Sequence, residues 1–560
     1  MVLMQADPEI DALLGNALPA VVAPSTGKAM GFVGGPYDGA NRYSTELATW
    51  QPSLGSADFD ILPDKPVLDA RVRDTLRNDS YVQSGLAMHK DNIVGSMFLL
   101  NSKPDFKVLG LDETWAEEYQ EEVESKFTLW AESDNNWPDA ARVNTLTSLV
   151  RLAVGVYGMA GEVLASAEWM RDASRPFNTA IQMIDLDRLS NPNGVINNPL
   201  LRGGVQRDRY GAPLGYHVRM AHPTDYFNPD SYMWKYVPIR KPWGRLQMIH
   251  IVEQTRPDQT RGVAEMVSAL KELRITKKFR DIVLQNAVVN ATYAASIESD
   301  LPSDAVFQAL GGGNLGDTAG GAISWASSYL AAIQQYAGGA KNLKLDGVKI
   351  PHLFPGTKLQ LRPAGQGGPL GTEFEQSLLR YIAANLNVSY EQLSRDYSQS
   401  NYSSIRAAMT ETWKFMQARK RMVADRFASS IFRLWLEEAI NKNQITTLSK
   451  ASPSFYEGLN ADAYAKCEWI GASRGQIDEL KETQAAVLRL DNGLSTLEDE
   501  HGRMGKDWRA VIRQRKREKT LLVEAGLYVD PNSQNTKNAL KPSTEADNPD
   551  NKPAKKKQNA

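Results

Sequence analysis

From Val263 to about Ile297 the chain carries one long helical pattern, with Leu270, Leu273, Phe279 and Val283 recurring near three- or four-residue spacing and Ala and Val dominating its second half. A helix of that length is not incidental. It is followed, over residues 300–371, by sequence without helical periodicity, in which ALGGGNLGDTAGG, YAGGAK and RPAGQGGPLG flank the strand-like KNLKLDGVKIPHLF and TKLQLRP. Helix resumes at FEQSLLRYIAANL, where Phe374, Leu378, Leu379, Ile382 and Leu386 form an apolar stripe. Two helices bracketing a glycine-rich, strand-bearing excursion point to an α+β chain with elongated elements.

The flanking sequence agrees. Residues 1–42 mix Gly, Pro and Ala with short apolar runs and are expected to form a flexible arm. A helix is predicted from near Val67, through Val72, Leu76, Val82, Leu86 and Ile93, and a second along the stripe Trp115, Tyr119, Val123, Phe127 and Trp130. Between about 140 and 260, TAIQMIDLDRLSNPNG and GGVQRDRYGAPLGYHVRM alternate and turn as short antiparallel strands do. A further long helix is read in SIRAAMTETWKFMQARKRMVADRFASSIFRLWLEEAI, and two or three more after Ser452. From Asp530 onward apolar residues nearly vanish, the composition of a disordered tail.

At 560 residues, 42% hydrophobic and 23% charged, the chain can build several cores. Its 64 basic residues against 66 acidic ones leave a formal charge of -2, so it has no global field that would condense it onto nucleic acid. A single cysteine, Cys467, excludes an intrachain disulfide framework and a Cys-based zinc cluster, which fits folding in a reducing compartment. MVLMQADPEID lacks the features of a secretory signal, and the most apolar stretch, LAVGVYGMAGEVLASA from Leu152, is broken by glycines and Glu162, so no membrane span is expected.

Motifs that imitate catalytic sites lack their partners. GASRG, Gly471 to Gly475, fits a nucleophile elbow, but the one histidine after Ser473 is His501, too near in sequence for a hydrolase sheet to intervene. GGGNLG, Gly311 to Gly316, lacks the strand, helix and acidic residue of a dinucleotide site. In STGKAM, Lys28 is followed by Ala29, and Val22 stands where a phosphate loop needs glycine. The six histidines show no metal-ligand spacing and no carboxylate pair stands out, so neither metal, cofactor nor catalysis is expected. Two basic clusters remain: Lys414, Arg419, Lys420, Arg421 and Arg426, then Arg509, Arg513, Arg515, Lys516 and Arg517. Each is either a solvated face paired to neighbouring acids or a surface facing phosphates or another subunit.

Four landmarks, in order along the chain, resemble the portal proteins of tailed bacteriophages, specifically the lambda-type portal family. The first is LDARVRDTLRNDSYVQSGLAMHKDNIVGSMF, through Ala70, Arg71, Arg73, Asp74, Arg77, Asn78, Asn92, Val94 and Gly95. The second couples RGGVQRDRYGAPLGYHV to HIVEQTRPDQTRGV, with Arg256, Pro257, Gln259, Arg261 and Gly262 before the long helix. The third is IAANLNVSYEQLSRDYSQSNYSSIRAA, through Tyr390, Leu393, Asp396, Asn401, Tyr402, Ser403, Ser404 and Arg406. The fourth, IDELKETQAAVLRLDNGLSTLEDEHGRMGKDW, matches through Lys481, Glu482, Ala485, Gly493, Thr496, Gly505, Asp507 and Trp508, with Glu479 where members often have Pro.

The resemblance spans about residues 43 to 528. It implies a portal fold in a dodecameric ring at one capsid vertex of the virion, assembled in the host cytoplasm with major capsid and scaffold proteins. A terminase large subunit would drive double-stranded DNA through it, and a head-completion or adaptor protein would attach later. On this reading residues 43–261 form an α+β wing, 262–299 the first stem helix, 300–371 the clip, 372–393 the second stem helix, 394–404 a tunnel loop, 405–450 a long tunnel and wing helix, and 451–529 a helical crown. The loop residues expected toward the DNA are Arg395, Tyr397, Ser398, Gln399, Asn401, Tyr402 and Ser403, with Lys414, Arg419, Lys420 and Arg421 facing phosphate or a subunit. A packaging-associated nuclease or terminase subunit, and a monomeric head adaptor, are the competing readings.

Overall fold

The computed structural model describes residues 38–40, 44–52, 54–292, 342–345, 348–351, 372–398, 400–449, 452–475 and 478–528. The chain divides into two units, one up to Ser56, in which a 3-10 turn at Asp38–Ala40 is described, and one from Ala57 onward that holds everything below.

The predicted helix near Val67 is two helices, α1 (Lys65–Asn78) and α2 (Ser80–Ile93). Asp79 divides them. Its backbone is extended, and its carboxylate accepts from the amides of Tyr81 and Val82 at 3.0 and 3.2 Å, satisfying N–H groups that a helix start leaves without partners. Strand β1 (Leu99–Ser102) leads to α3 (Glu113–Ala131), which buries the predicted stripe of Tyr119, Val123, Phe127 and Trp130. The apolar stretch from Leu152 is divided between helix α4 (Leu146–Ala160), apolar nearly all round because it is a core helix, and the strand that begins at Glu162. No helix among the described residues is long and apolar enough to cross a membrane.

The strands that follow are antiparallel, as their alternation predicts. β2 (Glu162–Trp169) pairs on one side with β3 (Thr179–Met183). β4 (Leu201–Arg202), β5 (Val205–Arg207), β6 (Pro213–Arg219) and β7 (Trp234–Pro238) form a four-stranded meander, and β8 (Met248–Val252) returns to the other side of β2, setting Val163 opposite Ile251. Leu164, Ile184, Val205, Tyr216 and Met248 form a small core there.

Helix α5 (Leu270–Thr292) starts later than the expected position 262, after a 3-10 turn at Glu265–Ala269. Val263 lies outside any helix and Ala264 is extended where the chain crosses Gly161, whose φ is 72°. A Cβ there would lie 2.2 Å from the Val263 carbonyl oxygen, and one at Gly262 would lie 2.3 Å from the Gly161 oxygen, so both positions need glycine. The end of the stem beyond Thr292 and most of the clip lie outside the described residues; of the clip, β9 (Asn342–Leu345) and β10 (Val348–Pro351) form an antiparallel pair. Helix α6 (Thr372–Asn385) packs on α5: Phe279 and Phe374 meet edge to face at 5.4 Å, and Arg280 pairs with Glu375 at 2.7 Å. It stops eight residues short of the expected 393, because Asn387 turns left-handed (φ 53°) before a separate turn at Tyr390–Ser394.

Helix α7 (Tyr402–Arg419), a π-helical segment at Lys420–Asp425 and α8 (Arg426–Asn441) run consecutively. Trp435 on α8 is fully buried and lies 5.2 Å from Phe127 and 5.3 Å from Phe177, joining α3, α8 and the β3 approach in the main core. The crown region is not purely helical. β11 (Cys467–Ile470) pairs antiparallel with β1, Leu100 opposite Trp469, before α9 (Glu479–Asp491), α10 (Leu497–Arg503) and α11 (Trp508–Glu524).

Candidate functional site

The polar run after α6 is a short loop held at both ends by side chains of its own sequence. Ser389 and Gln392 close a reciprocal capping box at the Tyr390–Ser394 turn, and Leu393 anchors that turn in the core. Arg395 then takes a left-handed conformation with φ 61°, which reverses the chain. The Asp396 carboxylate accepts from the Ser398 hydroxyl at 2.6 Å and amide at 3.0 Å. Those two bonds hold the carboxyl below the ordinary carboxylate range, and they turn it toward Ser398 rather than Arg395. Asn401 starts α7 by accepting from the Ser404 amide at 2.9 Å while its own amide donates to the Ser404 hydroxyl at 3.2 Å.

The hydroxyls and amides of the run therefore partly serve the turn itself. What remains outward is Arg395, Tyr397, Ser398, Asn401, Tyr402 and Ser403, all exposed; Gln399 lies outside the described residues. Tyr402, Ser403, Arg406, Thr410, Glu411 and Lys414 continue this surface along α7 as an open face. Chemically it offers phenols, hydroxyls and a few cations interleaved with a carboxylate, a surface that gives weak and exchangeable contacts to a polyanion rather than a clamp.

The first basic cluster is corrected by the structure. Lys414, Arg421 and Arg426 are exposed, but Arg419 and Lys420 point inward, in line with Thr412, Met416 and Val423 on the buried side of the α7 and π-helical run. Arg419 pairs with Glu253 at 2.8 Å and with Glu265, and it stacks over Tyr157. Lys420 pairs with Asp425 and donates to the Trp469 carbonyl, both at 2.7 Å. Burial of a cation is tolerable only with such partners, and having them removes both residues from any external surface. Of the second cluster, Arg509 lies over Trp508, Arg513 reaches Glu121 at 3.2 Å, and Arg515, Lys516 and Arg517 are exposed.

A buried ionic centre was not singled out from sequence. Glu162, completely buried at the head of β2, accepts from Arg261 at 2.8 to 3.1 Å, from the Gly262 amide at 2.9 Å and from His250 at 3.1 Å, and Lys65 lies 3.2 Å away. Burial pushes the carboxyl up, but Arg261 and then Lys65 outweigh it and hold Glu162 well below the usual range. Arg261 also donates to the carbonyls of Leu189 and Gly203, so the chain entering the stem is tied to the strand layer. The visible signal was a lone glutamate inside the most apolar stretch of the sequence.

His501 is hydrogen-bonded to the Leu497 carbonyl at 2.7 Å rather than to Ser473. Asp185, Asp187 and His222 converge, and the Arg73 guanidinium engages two of them, bonded to Asp187 at 2.5 and 2.9 Å and 3.5 Å from Asp185.

The family described as phage portal protein, lambda family, matches residues 43–420. Portal protein B of Escherichia phage lambda is 36% identical over 91% of this chain and 94% of its own length. The chain belongs to the lambda family of phage portal proteins. The portal protein of Escherichia phage N15 is likewise 36% identical over 91% of this portal chain and 94% of that one, and a probable portal protein of Halomonas phage phiHAP-1 is 20% identical over 83% and 82%. A chain from the virion of a native gene transfer agent particle overlaps at TM-score 0.36 and 12% identity over 80% of this chain and 94% of that one, a likeness too slight to bear on the fold. Three of the landmarks lie within the matched residues; the fourth, from Ile477, lies beyond them.

Proposed function

We propose that this portal chain forms a dodecameric ring at one capsid vertex of the virion, a passage for double-stranded DNA during packaging and ejection. It would be assembled in the host cytoplasm with capsid and scaffold proteins, then docked in turn by the terminase large subunit and a head-completion protein. In that ring the Arg395–Asn401 loop and the outward face of α7 border the channel. The observation that carries this reading is the loop's surface: Tyr397 and Tyr402 stand outward between two capped helix ends while the nearest carboxylate, Asp396, is engaged with Ser398. A duplex must slide past such a surface. Each phosphate held by a fixed cation would add affinity through counterion release, whereas phenols and hydroxyls exchange partners cheaply.

The test is the double variant Tyr397→Ala, Tyr402→Ala in an infecting phage. Rings of normal mass and appearance are expected, with loss of packaged or retained DNA. Full-length genomes packaged at the normal yield would refute the channel placement of this loop.

A further inference from the structure

Helices α9 and α11, 13 and 17 residues long, bury none of their residues. Isolated helices of that length are marginal in water, and protein helices derive most of their stability from burying one face. Both nevertheless carry apolar side chains in the open. On α9, Leu480, Val487 and Leu488 fall at i, i+7 and i+8, on one stripe, at 65%, 49% and 61% exposure. At the end of α11, Leu521, Leu522 and Val523 point in three directions and are 63%, 42% and 55% exposed, with Leu527 following. The surroundings are opposite in net charge: Arg515, Lys516, Arg517 and Lys519 outnumber Glu518 and Glu524 around the α11 tip, while Glu479 and Asp491 border the α9 stripe and its cations are already engaged, Lys481 by Asp478 at 2.9 Å and Arg489 by Glu500 at 2.8 Å.

We infer that the apolar tip of α11 in one subunit packs on the α9 stripe of the next copy of the chain, so that these two patches are the two halves of one head-to-tail contact. This rests on the ring reading above. A closed ring is built from a heterologous interface, which requires two different complementary patches on each subunit. Opposite charge around them sets the direction of pairing and disfavours tip on tip or stripe on stripe. Exposed apolar clusters of this kind mark contact surfaces.

Cysteine pairing of the full-length chain tests it, in a Cys467→Ser background. Chains carrying only Leu522→Cys are mixed with chains carrying only Val487→Cys, assembled, oxidised and run under denaturing, non-reducing conditions, with electron micrographs of the same samples. The expected result is rings in the images, a band at twice the chain mass from the mixture and none from either variant alone, and a ladder of higher multiples from chains carrying both cysteines. Rings without the mixed band would overturn the contact while leaving the ring reading intact. Protection of the 522 cysteine by added duplex DNA, again without the band, would overturn it in favour of a nucleic-acid surface. Failure of the unsubstituted chain to form rings with capsid and scaffold proteins present would defeat the ring reading itself, and the contact with it.

Discussion

Glu162 shows how one side chain ties a strand layer to a helix. Because Arg261, Lys65, His250 and the Gly262 amide all converge on its carboxylate, its removal leaves buried cations without a partner. Glu162→Gln is expected to destabilise by about 3 kcal/mol or more, read as a lower denaturation midpoint. The carboxyl's folded pKa lies well below the ordinary 4.5, so its contribution is complete above about pH 4.5 and is lost as pH falls below that value. The variant should accordingly show a flatter acid limb of stability against pH. Glu124 behaves oppositely. Burial pushes its carboxyl up to about 7, against a hydrogen bond from the Ser102 amide and with Asp507 adding to the rise. The folded state then binds the proton more tightly than the unfolded one, so stability falls as pH rises from about 4.5 to about 7. Glu124→Gln should remove that decline and stabilise the chain at pH 8, on the order of 1 to 3 kcal/mol, in denaturant titrations at pH 5 and pH 8. Glu162 stood out in sequence only as a lone acid in an apolar stretch and Glu124 not at all, since the partners that shift each one come from other elements.

At the scale of elements, helix existence was legible and helix ends were not. The α3 stripe buries Tyr119, Val123, Phe127 and Trp130 and the α6 stripe buries Leu379 and Ile382, with its other members half-buried, because an apolar face leaves water by packing. The division at Asp79 and the late start of α5 follow from local bonds and a backbone crossing that periodicity does not carry. Asp79→Ala should cost about 1 kcal/mol of thermal stability by leaving the α2 amides unserved, while Trp435→Ala, which empties a site between Phe127 and Phe177, should cost about 3 to 5 kcal/mol in the same measurement. An equal loss from both would show that the helix break, and not the packing, controls this region. The loop around Tyr397 was recognisable as a polar interruption between helices; that much of its polarity is spent on capping was not.

For the whole molecule, four landmarks in order resembled the lambda-type phage portals, and the family match and the lambda relative show that family. Sequence alone determined the two-helix bracket around a glycine-rich excursion, the antiparallel strands before it and the kinship with phage portals, because periodicity, turn residues and motif order are properties of neighbours along the chain. Only the tertiary structure decided that Arg419 and Lys420 face inward, that β11 joins β1 across more than half the chain, and that Glu162 gathers Arg261, Lys65 and His250. Those outcomes depend on which distant groups compensate a buried charge or an unpaired strand edge, and a linear pattern does not contain that information.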